Sequence, residues 1–108
     1  MLYEFRTYHA VPGKLPAVVG RFEDHTLRIF AKHGIRPEGF WTTYIGPNAN
    51  TLFYILAWES LAERESVWHD FVTDPEWVAV RAESEKDGAL IEWAQNTIMA
   101  PTAYSKLQ

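Results

Sequence analysis

The stretch GIRPEGFWTTYIG, residues 34–46, decides the reading of this chain. Gly34 closes what precedes it, Gly39 opens a strand and Gly46 ends it before a turn. Between the last two lie Phe40, Trp41, Thr42, Thr43, Tyr44 and Ile45. All are aromatic or β-branched, the side chains that suit a pleated, half-buried surface. A strand over Phe40–Gly46 is therefore expected, with a helix before it and a hairpin after it.

Upstream, Leu2–Ala10 reads as the first strand. Tyr3, Phe5, Thr7 and His9 share one face, and Leu2, Glu4, Arg6 and Tyr8 share the other. Neither set is plainly polar, as the outer set of a one-sided sheet would be. Val11-Pro12-Gly13-Lys14 is a turn. Leu15, Val18, Val19, Phe22, Thr26, Ile29, Phe30 and His33 recur at helical spacing, which predicts one helix over Leu15–His33. Arg21, Glu23, Asp24, Arg28 and Lys32 fall off that stripe, and Gly34 stands where a C-terminal glycine belongs.

Downstream, Pro47-Asn48-Ala49-Asn50 makes the hairpin loop and Thr51–Glu59 the third strand, again apolar on both faces. Ser60-Leu61-Ala62-Glu63 is a capping box that starts a second helix, with Arg64, Val67, Trp68 and Phe71 on its inner side. Asp74-Pro75 starts a further helix that runs to about Asp87 and stops at Gly88. The last strand is expected over Ala89–Met99.

The order β-α-β-β-α-β over residues 1–108 is that of a single ferredoxin-like α+β domain, a four-stranded antiparallel sheet with helices on one face. Its strands are apolar on both faces, and pairing two such sheets covers the second one. A homodimer is the resulting expectation. Five Trp, five Tyr and six Phe point the same way. So small a domain has little interior for that many rings, and subunit interfaces and ligand pockets are both rich in them.

Composition narrows the chemistry. The chain has no cysteine, which excludes disulfides, thiolate catalysis and cysteine-bound metals. A formal charge of −4 with scattered Lys and Arg speaks against a nucleic-acid partner. No apolar run is long enough to span a membrane, and the chain opens directly into a strand pattern. The expected protein is soluble and cytoplasmic. None of His9, His25, His33 and His69 falls in a zinc-binding pattern, so no metal and no cofactor are assigned.

YEFRTYHAVPGK at 3–14, GFWTTYIGPNAN at 39–50, WESLAERE at 58–65 and DPEW at 74–77 together resemble the NIPSNAP family. The resemblance implies a dimeric α+β barrel, in which two ferredoxin-like protomers join their sheets face to face. It attaches no settled reaction.

Candidate ligand-pocket residues are Arg6, Tyr8, His25, Trp41, Trp58 and Trp68; no catalytic residue is assigned. Glu4, Arg6 and Tyr8 stand in a row on one strand face. They are either an anion or proton site, or a polar seam across the dimer interface. His25 borders the inner stripe of the first helix, as a structural histidine or a proton acceptor. The tryptophans, Trp77 among them, are core or the walls of a planar-ligand site. Two functions follow from different classes. One is a homodimer that binds a small, partly apolar planar molecule. The other is a small enzyme, a cofactor-independent monooxygenase or haem handler of the kind the barrel superfamily includes. There Arg6 or Tyr8 would hold an oxyanion and Trp41 and Trp58 would form the walls. A protein-interaction scaffold is a third reading.

Overall fold

The computed structural model describes residues 1–108. Four strands, β1 (Leu2–Ala10), β2 (Arg36–Thr42), β3 (Thr51–Trp58) and β4 (Ile91–Met99), form one sheet in the order β2-β3-β1-β4. Every neighbouring pair is antiparallel. The helices α1 (Leu15–Arg21), α2 (Leu27–Lys32), α3 (Leu61–Val72) and α4 (Pro75–Ser84) cover one face. The thinnest dimension is 19 Å, the depth of one helix layer on one sheet.

Between α1 and α2 the helix does not stay α. Residues Phe22–Thr26 form a π-helical turn that joins the two without a break. In a regular α-helix, residues five apart lie about 140° apart around the axis. The π turn brings them onto one side, and the Thr26 hydroxyl donates to the Arg21 carbonyl across it. The expected uninterrupted α-helix over Leu15–His33 is corrected to this composite, and Val19 leaves the apolar stripe while Arg21 enters the interior.

The C-terminus of α2 is as the sequence indicates. Gly34 adopts φ +73°, and the N–H groups of Gly34 and Ile35 bond to the carbonyls of Ala31 and Phe30. This is a Schellman motif, and its hydrophobic contact is the buried pair Phe30 and Ile35.

The second strand is displaced from its expected span. It runs over Arg36–Thr42 rather than Phe40–Gly46. Thr42 faces Leu52, almost the first residue of β3, so a β2 running on to Gly46 would need partners in residues 48–51 and leave Pro47 alone to turn the chain. Pro47 has no N–H to give, and Asn48 sits at φ +61°. The chain instead loops out, with the Thr43 hydroxyl bonded to the Asn48 carbonyl and Tyr44 and Ile45 almost wholly exposed. On the other side, Arg36-Pro37-Glu38 joins the ladder through a bulge between Pro37 and Gly39. Pro37 is tolerated because β2 is an edge strand.

The remaining boundaries shift less. Helix α3 starts as expected: Ser60 Oγ accepts from the Glu63 N–H at 3.1 Å, and Glu63 reaches back to the Glu59 N–H. Asp74 Oδ1 caps α4 through the Glu76 N–H. That helix ends at Ser84 rather than near Asp87, and β4 starts at Ile91 rather than Ala89, with Leu90 buried between them.

The core lies between sheet and helices. Leu52, Tyr54, Leu56 and Trp58 of β3 meet Val18, Phe22, Ile29, Phe30 and Phe71. Each fully buried side chain of this kind contributes roughly 1.5–3 kcal/mol. The opposite sheet face has no helix on it. It carries Phe5, Phe53, Ile55, Trp41 and Trp93, the last two about half exposed. The C-terminal tail covers one corner only, where the Tyr3 hydroxyl donates to the Gln108 carbonyl.

Candidate functional site

The pleat of β1 turns Glu4, Arg6 and Tyr8 toward the helices. Glu4 is fully buried. Its Oε1 accepts from Arg64 Nε (2.8 Å) and Trp58 Nε1 (3.0 Å), and its Oε2 from Arg64 Nη2 (2.9 Å), Arg6 Nη1 (2.7 Å) and Asn96 Nδ2 (2.9 Å). Burial works against the charged carboxylate. The hydrogen bonds from Arg64, Asn96 and Arg6 outweigh it and bring the pKa down to about 2. Glu4 is therefore a permanent anion with no lone pair left for other work.

Arg6 is held on three sides. Besides Glu4 it donates from Nε to the Tyr54 hydroxyl (2.8 Å) and from Nη2 to the Tyr8 hydroxyl (3.1 Å). Its guanidinium carbon lies 4.4 Å from the centre of the Trp68 ring, within cation–π range. Burial opposes its charge, but the oxygens of Tyr54, Tyr8 and Glu4 hold its pKa above the ordinary value. Burial, and then the neighbouring Tyr8, raise the pKa of Tyr54, so that phenol stays neutral. Tyr54 donates to Tyr8 at 2.7 Å. The Tyr8 oxygen thus accepts two hydrogen bonds, and its own O–H proton remains to be given.

Above this platform lies a cleft of 280 Å³. Its floor is Arg6 and Tyr8 of β1 with Ile91 and Ala94 of β4. The helix through the π turn supplies Arg21, Phe22, Thr26 and Phe30; α3 supplies Trp68, Phe71 and Val72. Helix α4 closes it with Trp77, Arg81 and Glu85 just past its end, spaced to fall on one side.

Of the six residues the sequence singled out, Arg6, Tyr8 and Trp68 come together here. Trp58 lies beneath the floor, fully buried, as a donor to Glu4 rather than a wall. Trp41 is on the opposite sheet face, lying flat over Gly39, where a Cβ would come within 2.6 Å of its ring. His25 is on the exposed side of the π turn, 3.4 Å from an Arg28 nitrogen, and lines only an open surface groove. The expectation that it reaches the helix–sheet cleft is corrected, because the π turn aims Phe22 and Thr26 inward and His25 outward. The seam Glu4–Arg6–Tyr8 runs inside one protomer, under the helices, and not along the open face where a second sheet would pack.

Sequence reasoning missed Arg21, Arg81 and Glu85. The 77, 81, 85 spacing was a signal available for the last two. Arg21 had none, since only the π turn brings it in.

A sheet with helices on one face, a polar seam beneath them and a cleft above that seam define a ferredoxin-like α+β protein with an internal cleft. The NIPSNAP family pattern matches residues 3–106, and the chain belongs to that family. It is 31% identical over 77 residues to human NipSnap homolog 3A, covering 71% of this chain and 30% of that relative. The chain thus spans about a third of the length of that longer protein. A NIPSNAP family protein from Agrobacterium tumefaciens has the same fold, with a TM-score of 0.87 and 34% identity over 100% of this chain and 94% of the other. A candidate antibiotic biosynthesis monooxygenase from Nitrosomonas europaea superposes with a TM-score of 0.64 at 9% identity, covering 94% and 98%. That last likeness is one of fold alone.

Proposed function

We propose that this NIPSNAP-family chain works as a homodimer and that each protomer binds a small, flat, largely apolar molecule in the cleft above Arg6 and Tyr8. One observation carries the reading. An aromatic-walled space of 280 Å³ ends on a rigid floor whose Tyr8 hydroxyl keeps a proton to donate. The volume is close to the lower end of the ~300–1,000 Å³ usual for small-molecule sites, and the mix of apolar wall and few polar groups matches them. Arg6 needs no rearrangement to receive a ligand, being fixed by Glu4, Tyr54 and Trp68. Binding is favoured over proton abstraction because the groups on the floor are donors: Glu4 is saturated, Tyr54 neutral and Arg6 cationic. The dimer is supported by the apolar open face, where Phe5 stacks on Phe53 at 6.1 Å and Trp93 on His9 at 3.6 Å with no cover from this chain.

Native mass spectrometry of the protein purified gently from its own cells tests both halves. The expected species is a dimer with one added small mass per subunit, lost in Tyr8→Phe. A monomer would sink the dimer. Dimers that carry no adduct and take up no flat aromatic molecule at millimolar concentration would sink the binding site.

A further inference from the structure

The cleft has a second buried cation besides Arg6, and it is incompletely satisfied. The Arg21 side chain is 95% buried, with 5% of its surface exposed. Its Nη1 donates to Ser84 Oγ at 3.1 Å, and the nearest carboxylate, Glu85, is 3.8 Å from the same nitrogen, beyond a hydrogen bond. The guanidinium lies 5.3 Å from the centre of the Trp77 ring. Its Nε is buried without a hydrogen-bond partner, alone among the buried side-chain nitrogens and oxygens of the chain. A buried donor left unmade is costly, and interiors keep such groups where something else completes them.

The surrounding charges lean the same way. Arg6 and Arg64 share Glu4 beneath the floor; Arg21 and Arg81 share Glu85 beside the cleft. Each carboxylate takes two guanidiniums. Arg81 is largely exposed and sits 3.0 Å from Glu85, so Glu85 is engaged at the mouth while Arg21 stays under-neutralised inside. The free Nε edge of a guanidinium is the one that takes a carboxylate through two parallel hydrogen bonds.

We propose that Arg21 is the specificity residue of the cleft and that its ligand is a flat aromatic carboxylic acid. The carboxylate lies on the Nε edge of Arg21 and the ring rests among Trp68, Phe71 and Trp77. The inference rests on the cleft being a ligand site, and deepens it by naming the ligand's charge and the residue that reads it. The π turn is then a positioning device, since it alone carries Arg21 from the helix surface into the cleft.

Calorimetric titration of the full chain with benzoate and 2-naphthoate, each against its neutral amide, tests it. The acids should bind at least about tenfold more tightly than the amides, the scale of one charge-assisted bidentate contact. Arg21→Met, similar in length but uncharged, should bring acid and amide within about twofold of each other with circular dichroism unchanged. Arg21→Lys should keep part of the preference through charge alone. Glu85→Gln needs no change at Arg21; by removing the competing carboxylate it should raise the preference for acid. Equal binding of acid and amide to the natural chain overturns the proposal while leaving the binding site intact. So does a preference that survives in Arg21→Met, or one that Glu85→Gln does not move. No binding of any probe at millimolar concentration overturns the binding site together with this inference.

Discussion

The two faces of the sheet each depart from the usual arrangement. The face that the helices cover carries, set into its apolar core, a seam of ions and phenols: Glu4, Arg6, Tyr8 and Tyr54. The face left open carries Phe5, Phe53, Ile55, Trp41 and Trp93. In an ordinary one-sided sheet the covered face is apolar and the free face polar. Each departure has a separate meaning. Buried polarity is costly unless it is satisfied, and here it is satisfied almost completely, which leaves a fixed polar floor beneath a cleft. Exposed apolar surface is costly unless something covers it, and this is the face on which the proposed second sheet would pack.

The covered face should be the more sensitive to substitution. Glu4→Ala leaves Arg6 and Arg64 without their shared carboxylate and should cost about 3–5 kcal/mol, read by urea denaturation. A loss below about 1 kcal/mol would mean that the arginines turn to water and that the floor is not rigid. The pH profile sharpens the same point. Glu4 titrates at about 2 in the folded chain against an ordinary 4.5. Because the folded value is the lower one, its stabilisation is complete above about pH 4.5 and fades as pH falls toward about 2, a change of about 3 kcal/mol. Thermal melts across that window should slope for the natural chain and be flatter for Glu4→Gln.

On the open face, Phe53→Asp should act on assembly instead. Placing a charge opposite a second apolar sheet should weaken self-association by roughly a hundredfold, about 3 kcal/mol, with the folded protomer retained. Sedimentation would report monomers with unchanged circular dichroism. Unfolding would show that this face belongs to the protomer's own core, and unchanged association that copies meet elsewhere. Ser60→Ala touches neither face. It removes the cap of α3 and should cost ~0.5–2 kcal/mol in thermal stability. No loss would mean that Glu63 holds the helix start alone.

Wherever a local signal had one physical meaning, it was legible. Ser60 and Asp74 cap the helices they were expected to cap, and Gly34 ends the helix before it, because capping depends on a few adjacent backbone groups. Strand parity in β1 separated Glu4, Arg6 and Tyr8 from Tyr3, Phe5 and Thr7, since successive side chains must alternate. Parity could not say which set would lie under the helices, and the seam fell inside the protomer instead of between two. Trp41 and Trp58 share their residue type and little else: one lies flat on the open face over Gly39, and the other is sealed against Glu4.

By itself, then, the order of the residues determined the element sequence, the antiparallel ferredoxin-like class, the helix caps at Ser60, Asp74 and Gly34 and the doubly apolar strands. All of these follow from periodicity and local hydrogen bonding. Only the tertiary structure decided that β2 stops at Thr42, that the helix carries a π turn, that His25 faces outward and that Arg21 faces the cleft. Those outcomes depend on register and on one inserted turn. Each is set by which partner a distant segment offers, and a side chain's surroundings come from that partner rather than from its sequence neighbours.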